Sequence, residues 1–413
     1  IDAAKTEREA CDYVAEEAEK RGYKPFKFGA KLKAGDRVYY NNRGKNIYLI
    51  KVGTADIARD GIRIVASHID SPRVDLKQVP LYESDGVALA KTHYYGGIRK
   101  YQWAAIPLAL HGRIVRADGT AFDVKIGEDD NDPVFYISDL LPHLAAKQNA
   151  KPLGEGLGGE DLNIWLGNMP YTVAEEDKDK TVKENLLRIL HEKYGVREED
   201  FLSAELSLVP AFRAKDVGFD RGLMAAYGHD DRVCSYPAYT ALFDEEPEKH
   251  TVMVVLADKE EIGSEGATGM QCAIFTDLID ALAASFGVTS AEVRAASKCL
   301  SADVNAGYDP FLSCGAGLTK FTGSRGKGGS NDASAEFVGE VRKLFNDNGV
   351  VWQTGELGKV DVGGGGTVAK FIAKMNIDTV DIGVPVISMH SPYEVISKAD
   401  LYEAYRAFRA FIK

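Results

Sequence analysis

The stretch from Thr251 to Gly266, TVMVVLADKEEIGSEG, constrains the fold more than any other. Its first half, Thr251 to Ala257, is a nearly unbroken apolar run rich in β-branched residues, which is how a strand buried on both faces reads. Its second half turns acidic at once, with Glu260 and Glu261 side by side ahead of Ile262, Gly263 and Ser264. A buried strand that ends in two adjacent carboxylates sets two charges at a sheet edge, where open α/β folds keep their ligand crevice. Neighbouring anions repel, so a metal ion or a shared proton is expected to compensate them. The alternative is a solvated acidic turn.

The 413 residues suggest two domains, or one large domain with an insertion. A formal net charge of −12 argues against nucleic acid and anionic membrane surfaces as partners. The five cysteines (Cys11, Cys234, Cys272, Cys299, Cys314) are widely spaced with no CxxC pair, which predicts free thiols in a reducing compartment. No apolar run reaches membrane-spanning length and the N-terminal residues lack a signal-peptide pattern, so the expectation is a cytoplasmic protein.

Along the chain, 5–21 reads as an amphipathic helix, and 37–40 with 46–52 as a strand pair. The strand 62–67 runs into His68, Ile69 and Asp70. Residues two apart on a strand point the same way, so Asp70 can reach the His68 ring, as a carboxylate does when it orients a metal-bound imidazole. From 75 to 210 the texture changes to strand-like pieces at 113–115, 122–126 and 134–137, a Gly-rich loop and a helix at 183–194. This predicts an inserted unit between the two halves of a discontinuous domain, 1–74 and 211–413. The charged run 175–180 reads as a solvated loop.

The strand pattern resumes at 206–211. Gly228, His229, Asp230, Asp231 and Arg232 then open a helix over 233–243, where the default reading of the aspartates is N-terminal capping. A further apolar run, 295–300, leads to Asp303, and 378–387 leads to His390. The glycine-rich loop 315–329 fails the Walker A spacing, because Gly328 follows Lys327.

Alternating strands and helices at both ends of the chain predict a three-layer αβα sandwich with a mostly parallel central sheet. Parallel strands bring their carboxyl ends to one edge, so His68, Glu260 with Glu261, Asp303 and His390 can converge there, with Asp230 joining from a helix start. Two histidines, three candidate carboxylate ligands and one spare carboxylate suit zinc, or manganese or cobalt. Shared through one bridging carboxylate, they fit a two-metal hydrolytic site.

Five motifs in order, SHIDSP at 67–72, GHDD at 228–231, KEEIGS at 259–264, Ala302 with Asp303, and Met389-His390-Ser391, resemble the aspartyl aminopeptidase family of metallo-aminopeptidases over essentially the whole chain. The resemblance implies that His68 and Asp303 bind one metal and Glu261 and His390 the other, with Asp230 bridging. It makes Glu260 the general base and Asp70 the residue that holds His68. Spacing alone leaves Asp231 open as the bridge.

Leu141, Pro142, His143 and Leu144 resemble part of the family's β-rich dimerisation subdomain. The resemblance implies a homododecamer built from dimers, with His143 entering a neighbour's active site; taken alone, His143 reads as an ordinary interface histidine. Lys320 resembles the lysine that holds an acidic substrate side chain. Its surroundings, TGSRGKGGS at 322–330, and the run 363–366 differ from the animal members, so acidic and neutral N-terminal residues both stay open. The expected activity is removal of an N-terminal residue from peptides with a free N-terminus. A two-metal carboxypeptidase or deacylase and a non-catalytic scaffold are the alternatives.

Overall fold

Thr251–Ala257 is a strand buried at every position, as an apolar run without alternation requires. It lies in a nine-stranded sheet of order Lys24–Pro25, Arg37–Asn42, Asn46–Lys51, Thr251–Ala257, Ile62–His68, Lys298–Ala302, Asp378–Gly383, Ala316–Thr319, Trp352–Thr354. The four strands from Thr251–Ala257 to Asp378–Gly383 run parallel. An antiparallel neighbour closes this block on each side. This computed structural model describes residues 1–171, 181–245, 249–307, 314–355 and 360–413; the charged run 175–180 lies outside them.

Alternate residues of the opening strand divide between two apolar clusters, as a period of two demands. Val252, Val254 and Leu256 pack with Cys11 and Val14 of helix Glu7–Lys20, Leu242 of helix His229–Asp244, and Phe408 of helix Lys398–Ile412. Met253, Val255 and Ala257 pack with Phe275, Leu278 and Leu282 of helix Ile274–Phe286. Helices therefore cover both sheet faces. Each fully buried Val, Leu or Met contributes roughly 1.5–3 kcal/mol relative to exposure, so the strand has little freedom to slip.

That register matters for the site. Ala257 stands opposite His68, and Ser301 opposite Ala66 on the other side. Continuing the parallel register brings Asp303 level with His68. Three adjacent strands thus deliver His68, Asp303 and the turn holding Glu260 and Glu261 to one edge.

Two expectations need correction. The segment 378–387 is not one strand. Asp378–Gly383 stays in the large sheet, while Pro385–Ile387 joins a five-stranded sheet of order Lys215–Val217, Leu223–Ala226, Glu394–Ser397, Pro385–Ile387, Asn305–Ala306. At Gly383 a Cβ would meet the Asp303 carbonyl oxygen at 1.6 Å, a closeness only glycine permits, and beyond it the chain enters the smaller sheet beside the same neighbour, Asn305–Ala306. His390 accordingly follows the small sheet. The strand near 206–211, observed as Ala204–Pro210, pairs with Leu108–Val115 and Arg73–Ser84 and not with the central sheet. A buried apolar run reads the same in either setting.

The chain forms two compact units, one of Ile1–Ser71, Ala214–Met389 and Glu394–Lys413, the other of Pro72–Arg213 with His390–Tyr393. The second is built on a seven-stranded sheet running Ala121–Ile126, Leu108–Val115, Ala204–Pro210, Arg73–Ser84, Val87–Tyr95, Ile164–Gly167, Tyr136–Ile137. His390–Tyr393 belong to this unit, with the Phe212 and Tyr393 ring centroids 5.3 Å apart. Among the described residues no single helix is long and apolar enough to cross a membrane. Among the described residues no disulfide joins any of the five cysteines.

Candidate metal centre

His68 closes the strand Ile62–His68 and is buried. Its Nδ1 lies 3.0 Å from the Asp70 carbonyl oxygen and 3.3 Å from Asp70 Oδ1. A proton on Nδ1 is donated there, which turns the Nε2 lone pair inward. Around Nε2 stand Asp230 Oδ1 at 3.1 Å, Asp303 Oδ1 at 3.6 Å and Glu260 Oε2 at 3.9 Å. Three carboxylates facing a lone pair repel it unless a proton or a cation sits between them.

Asp70, also buried, organises the opposite side. Its Oδ1 accepts the Glu260 backbone N–H at 3.1 Å and its Oδ2 that of Glu261 at 3.2 Å. These are the otherwise orphaned donors at the start of the 3₁₀ turn Glu260–Ile262. The chain enters that turn through Lys259 in the left-handed region, at φ 65°, and Ser264 N–H closes it onto the Lys259 carbonyl. One carboxylate therefore sets both the imidazole plane and the backbone of the two glutamates.

Asp230 and Asp231 are not helix caps. Both have non-helical backbones (φ −78°, ψ 106° and φ −122°, ψ 29°) inside helix His229–Asp244, and the peptide between them is cis. Both side chains are buried. Asp231 Oδ2 accepts the His68 N–H at 3.4 Å, while its Oδ1 has no hydrogen-bond partner among the described residues.

The electrostatics follow from burial and crowding. Burial, then the charge of Asp303, pushes Glu260 up to about 8. Burial and Asp230 hold Glu261 well above the usual carboxylate range, and burial and Asp303 do so for Asp231. Burial raises Asp303 against the opposing pull of His68. Burial disfavours a charge on His68, yet hydrogen bonds to Asp230, Asp303 and Asp70 outweigh it and raise the ring well above its ordinary value. The site is short of positive charge.

Two sets of ligand atoms lie within 4.8 Å of one another, His68 with Asp230 and Glu261, and His68 with Asp231 and Asp303. Imidazole nitrogen with carboxylate oxygen is the donor chemistry of zinc and of manganese or cobalt. The residues fit a divalent metal.

Of the residues singled out in the sequence, His68, Asp70, Asp230, Glu260, Glu261 and Asp303 come together. Asp231 joins them. His390 belongs to the second unit, where its Nδ1 is 2.8 Å from the Gly97 carbonyl oxygen; a proton donated there puts the ring's lone pair on Nε2. His143 is exposed on a turn of the second unit. Lys320 follows strand Ala316–Thr319, and its ammonium pairs with Asp332, which also binds Lys327. Sequence reasoning missed Ser71, Arg232 and Glu394, which gather at the Asp230 main chain. A lone glutamate in the apolar strand Glu394–Ser397 was the available signal for the last of these.

The Aminopeptidase I zinc metalloprotease (M18) family matches residues 1–412. The probable M18 family aminopeptidase 1 of Clostridium acetobutylicum is 46% identical over 432 residues, covering 100% of this chain and 92% of that protein. The crystal structure of the M18 aminopeptidase from Thermotoga maritima superposes with a TM-score of 0.95 at 43% identity, over 100% of this chain and 94% of the other. The S. cerevisiae mApe1 dodecamer shares the fold at 22% identity, with a TM-score of 0.78 over 100% of this chain and 94% of that one. With a buried imidazole–carboxylate centre at the carboxyl edge of its sheet, the chain belongs to the M18 family of zinc metalloproteases and is a metallo-aminopeptidase.

Proposed function

We propose that the chain removes the N-terminal residue of peptides with a free amino terminus, using two divalent ions, zinc first and manganese or cobalt as alternatives. The observation that carries this reading is the convergence of Asp230, Asp303 and Glu260 on His68 Nε2. Following the family's motif order, His68 and Asp303 hold one ion, Glu261 and His390 the other, and Asp230 is shared. The grouping of Asp231 with His68 and Asp303 keeps Asp231 as the competing bridge. The scaffold is read as a three-layer αβα catalytic unit, 1–74 and 211–413, interrupted by a dimerisation unit, 75–210.

When bound, the ions supply Lewis acidity, lowering the pKa of water and polarising the scissile carbonyl. Glu260, whose proton affinity is raised by burial, accepts the proton of the attacking water and returns it to the leaving amine. Asp70 fixes the His68 ring and the backbone that aims Glu260. Lys320 is assigned to an acidic substrate side chain, Asp or Glu. Its pair with Asp332 makes that preference a contest between two carboxylates. Exposed Leu140, Leu141 and Leu144 of the second unit support self-assembly, as a homododecamer with His143 reaching a neighbour's site. Five free thiols fit the cytoplasm.

The zinc-loaded protein should cleave aminoacyl derivatives and peptides with a free N-terminus and leave their N-acetylated forms intact, and chelation should abolish turnover. Equal cleavage of acetylated peptides, or release of residues from the carboxyl end, would overturn the reading. A panel of Asp, Glu, Leu and Lys substrates reads the preference.

A further inference from the structure

The main chain of Asp230 is gripped at both ends by buried side chains. Glu394, first residue of strand Glu394–Ser397, is 1% exposed, and its Oε2 accepts the Asp230 N–H at 3.1 Å. Pairing of that strand with Leu223–Ala226 sets Glu394 opposite Ala226, just ahead of the aspartate. On the other end, Ser71 Oγ donates to the Asp230 carbonyl oxygen at 2.5 Å and accepts from Arg232 Nη1 at 3.0 Å. Arg232, 6% exposed, also donates to the Ile69 and Tyr227 carbonyl oxygens at 3.4 and 3.3 Å.

The guanidinium lies where a side chain at Gly228 would be. A Cβ there would stand 1.7 Å from Arg232 Nη2, and Gly228 adopts φ +73°. The glycine of GHDD thus serves the arginine that follows it. A buried carboxylate, guanidinium and hydroxyl are costly to bury, and here they meet at the two ends of one residue's backbone.

That residue needs external support. Asp230 is non-helical within a helical segment, so the helix ladder does not set its orientation. A ligating carboxylate must be held to roughly half an ångström to keep its geometry, and a small rotation of the backbone swings its Cβ by more than that.

We propose that Glu394 is a positioning residue for the metal centre, acting with Ser71 through the Asp230 main chain to aim the carboxylate that the two ions share. This rests on the two-metal reading above and deepens it. Neither Glu394 nor Ser71 is required to touch a metal or the substrate.

The test is zinc affinity of the full chain, measured by competition with a chromogenic chelator, beside melting temperatures with and without zinc. Glu394→Ala should bind zinc about 10–100-fold more weakly, the usual effect of losing an outer partner of a ligand, and the zinc-induced rise in Tm should shrink. Glu394→Gln keeps an oxygen that accepts the Asp230 N–H and should recover affinity to within a few-fold. A scaffold role would lower both melting temperatures together and leave affinity alone, and that result overturns the proposal. So does a Gln variant as weak as the Ala variant. If Glu394→Ala does not fold, Ser71→Ala decides, since several-fold weaker zinc binding supports the proposal and parental binding overturns it. A parent chain that binds no zinc removes the two-metal reading and this inference together; a zinc-binding parent with unaffected variants removes the inference alone.

Discussion

Glu260 and Glu261 are neighbours in sequence, and Asp70 receives the backbone N–H of each on a different oxygen. Their side chains nevertheless part, Glu261 grouping with His68 and Asp230 and Glu260 standing 3.9 Å from His68 Nε2. Glu260→Gln should therefore retain its zinc while kcat falls by about 10²–10⁴-fold, the range of general acid–base assistance; parental turnover at full metal content would show that the proton is carried elsewhere. The raised proton affinities add a second expectation. Glu260, pushed up to about 8, holds its proton at pH 7 in the metal-free chain, and burial keeps Glu261 and Asp303 inclined the same way. Ligation needs ionised Glu261 and Asp303, and a neighbouring dication also favours the ionised form of Glu260, so zinc binding must release protons and tighten as pH rises. Calorimetric titration at pH 7 in two buffers of different ionisation enthalpy measures that release; identical apparent heats would refute it.

Within the central sheet, Asp381 is a buried carboxyl in the strand Asp378–Gly383. Burial pushes it up to about 7, against a hydrogen bond from Thr367 Oγ1 at 2.6 Å that pulls it down. The folded chain then holds a proton that the unfolded chain loses near pH 4. Its contribution to stability is fully present below that value and is lost as pH rises through about 7. Asp381→Asn should gain on the parent as pH rises from 5 to about 7 and level off above it in urea unfolding, by on the order of 3 kcal/mol at most; a pH-independent difference would contradict this. The same strand shows where periodicity stops being informative. Apolar runs such as Thr251–Ala257 were legible because burial on both faces leaves one composition. The long strands Arg73–Ser84 and Val87–Tyr95 were not, since the first mixes charged and apolar residues without clean alternation and the second buries only Ala88, Ala90 and Thr92, which carry little apolar signal. Nor can composition say that the chain leaves one sheet for another after Gly383, a change it makes together with its neighbour Asn305–Ala306.

At the scale of the molecule, most of the centre was readable because strand ends and acidic or imidazole residues coincide in sequence: His68, Asp303, Glu260 and Glu261 each follow a buried run. The grip on Asp230 was not, because Ser71, Arg232 and Glu394 meet only through folding. The proposed assembly would draw on the second unit's surface, where Leu140, Leu141 and Leu144 are exposed in the single chain. Light scattering should find a large homo-oligomer, reduced to small species by Leu141→Asp with Leu144→Asp; a monomeric parent would refute the assembly reading. The parallel register sets Thr251–Ala257, Ile62–His68 and Lys298–Ala302 side by side although they lie far apart in the chain. Glu260 meets Asp70 across 190 residues of chain, and Asp231 meets His68 across 163. A nascent chain thus lacks one of the two groupings, that of His68 with Asp231 and Asp303, until the strand before Asp303 has been made and paired. Such non-local pairings close late, so the full set of candidate ligand atoms comes together only near the end of folding.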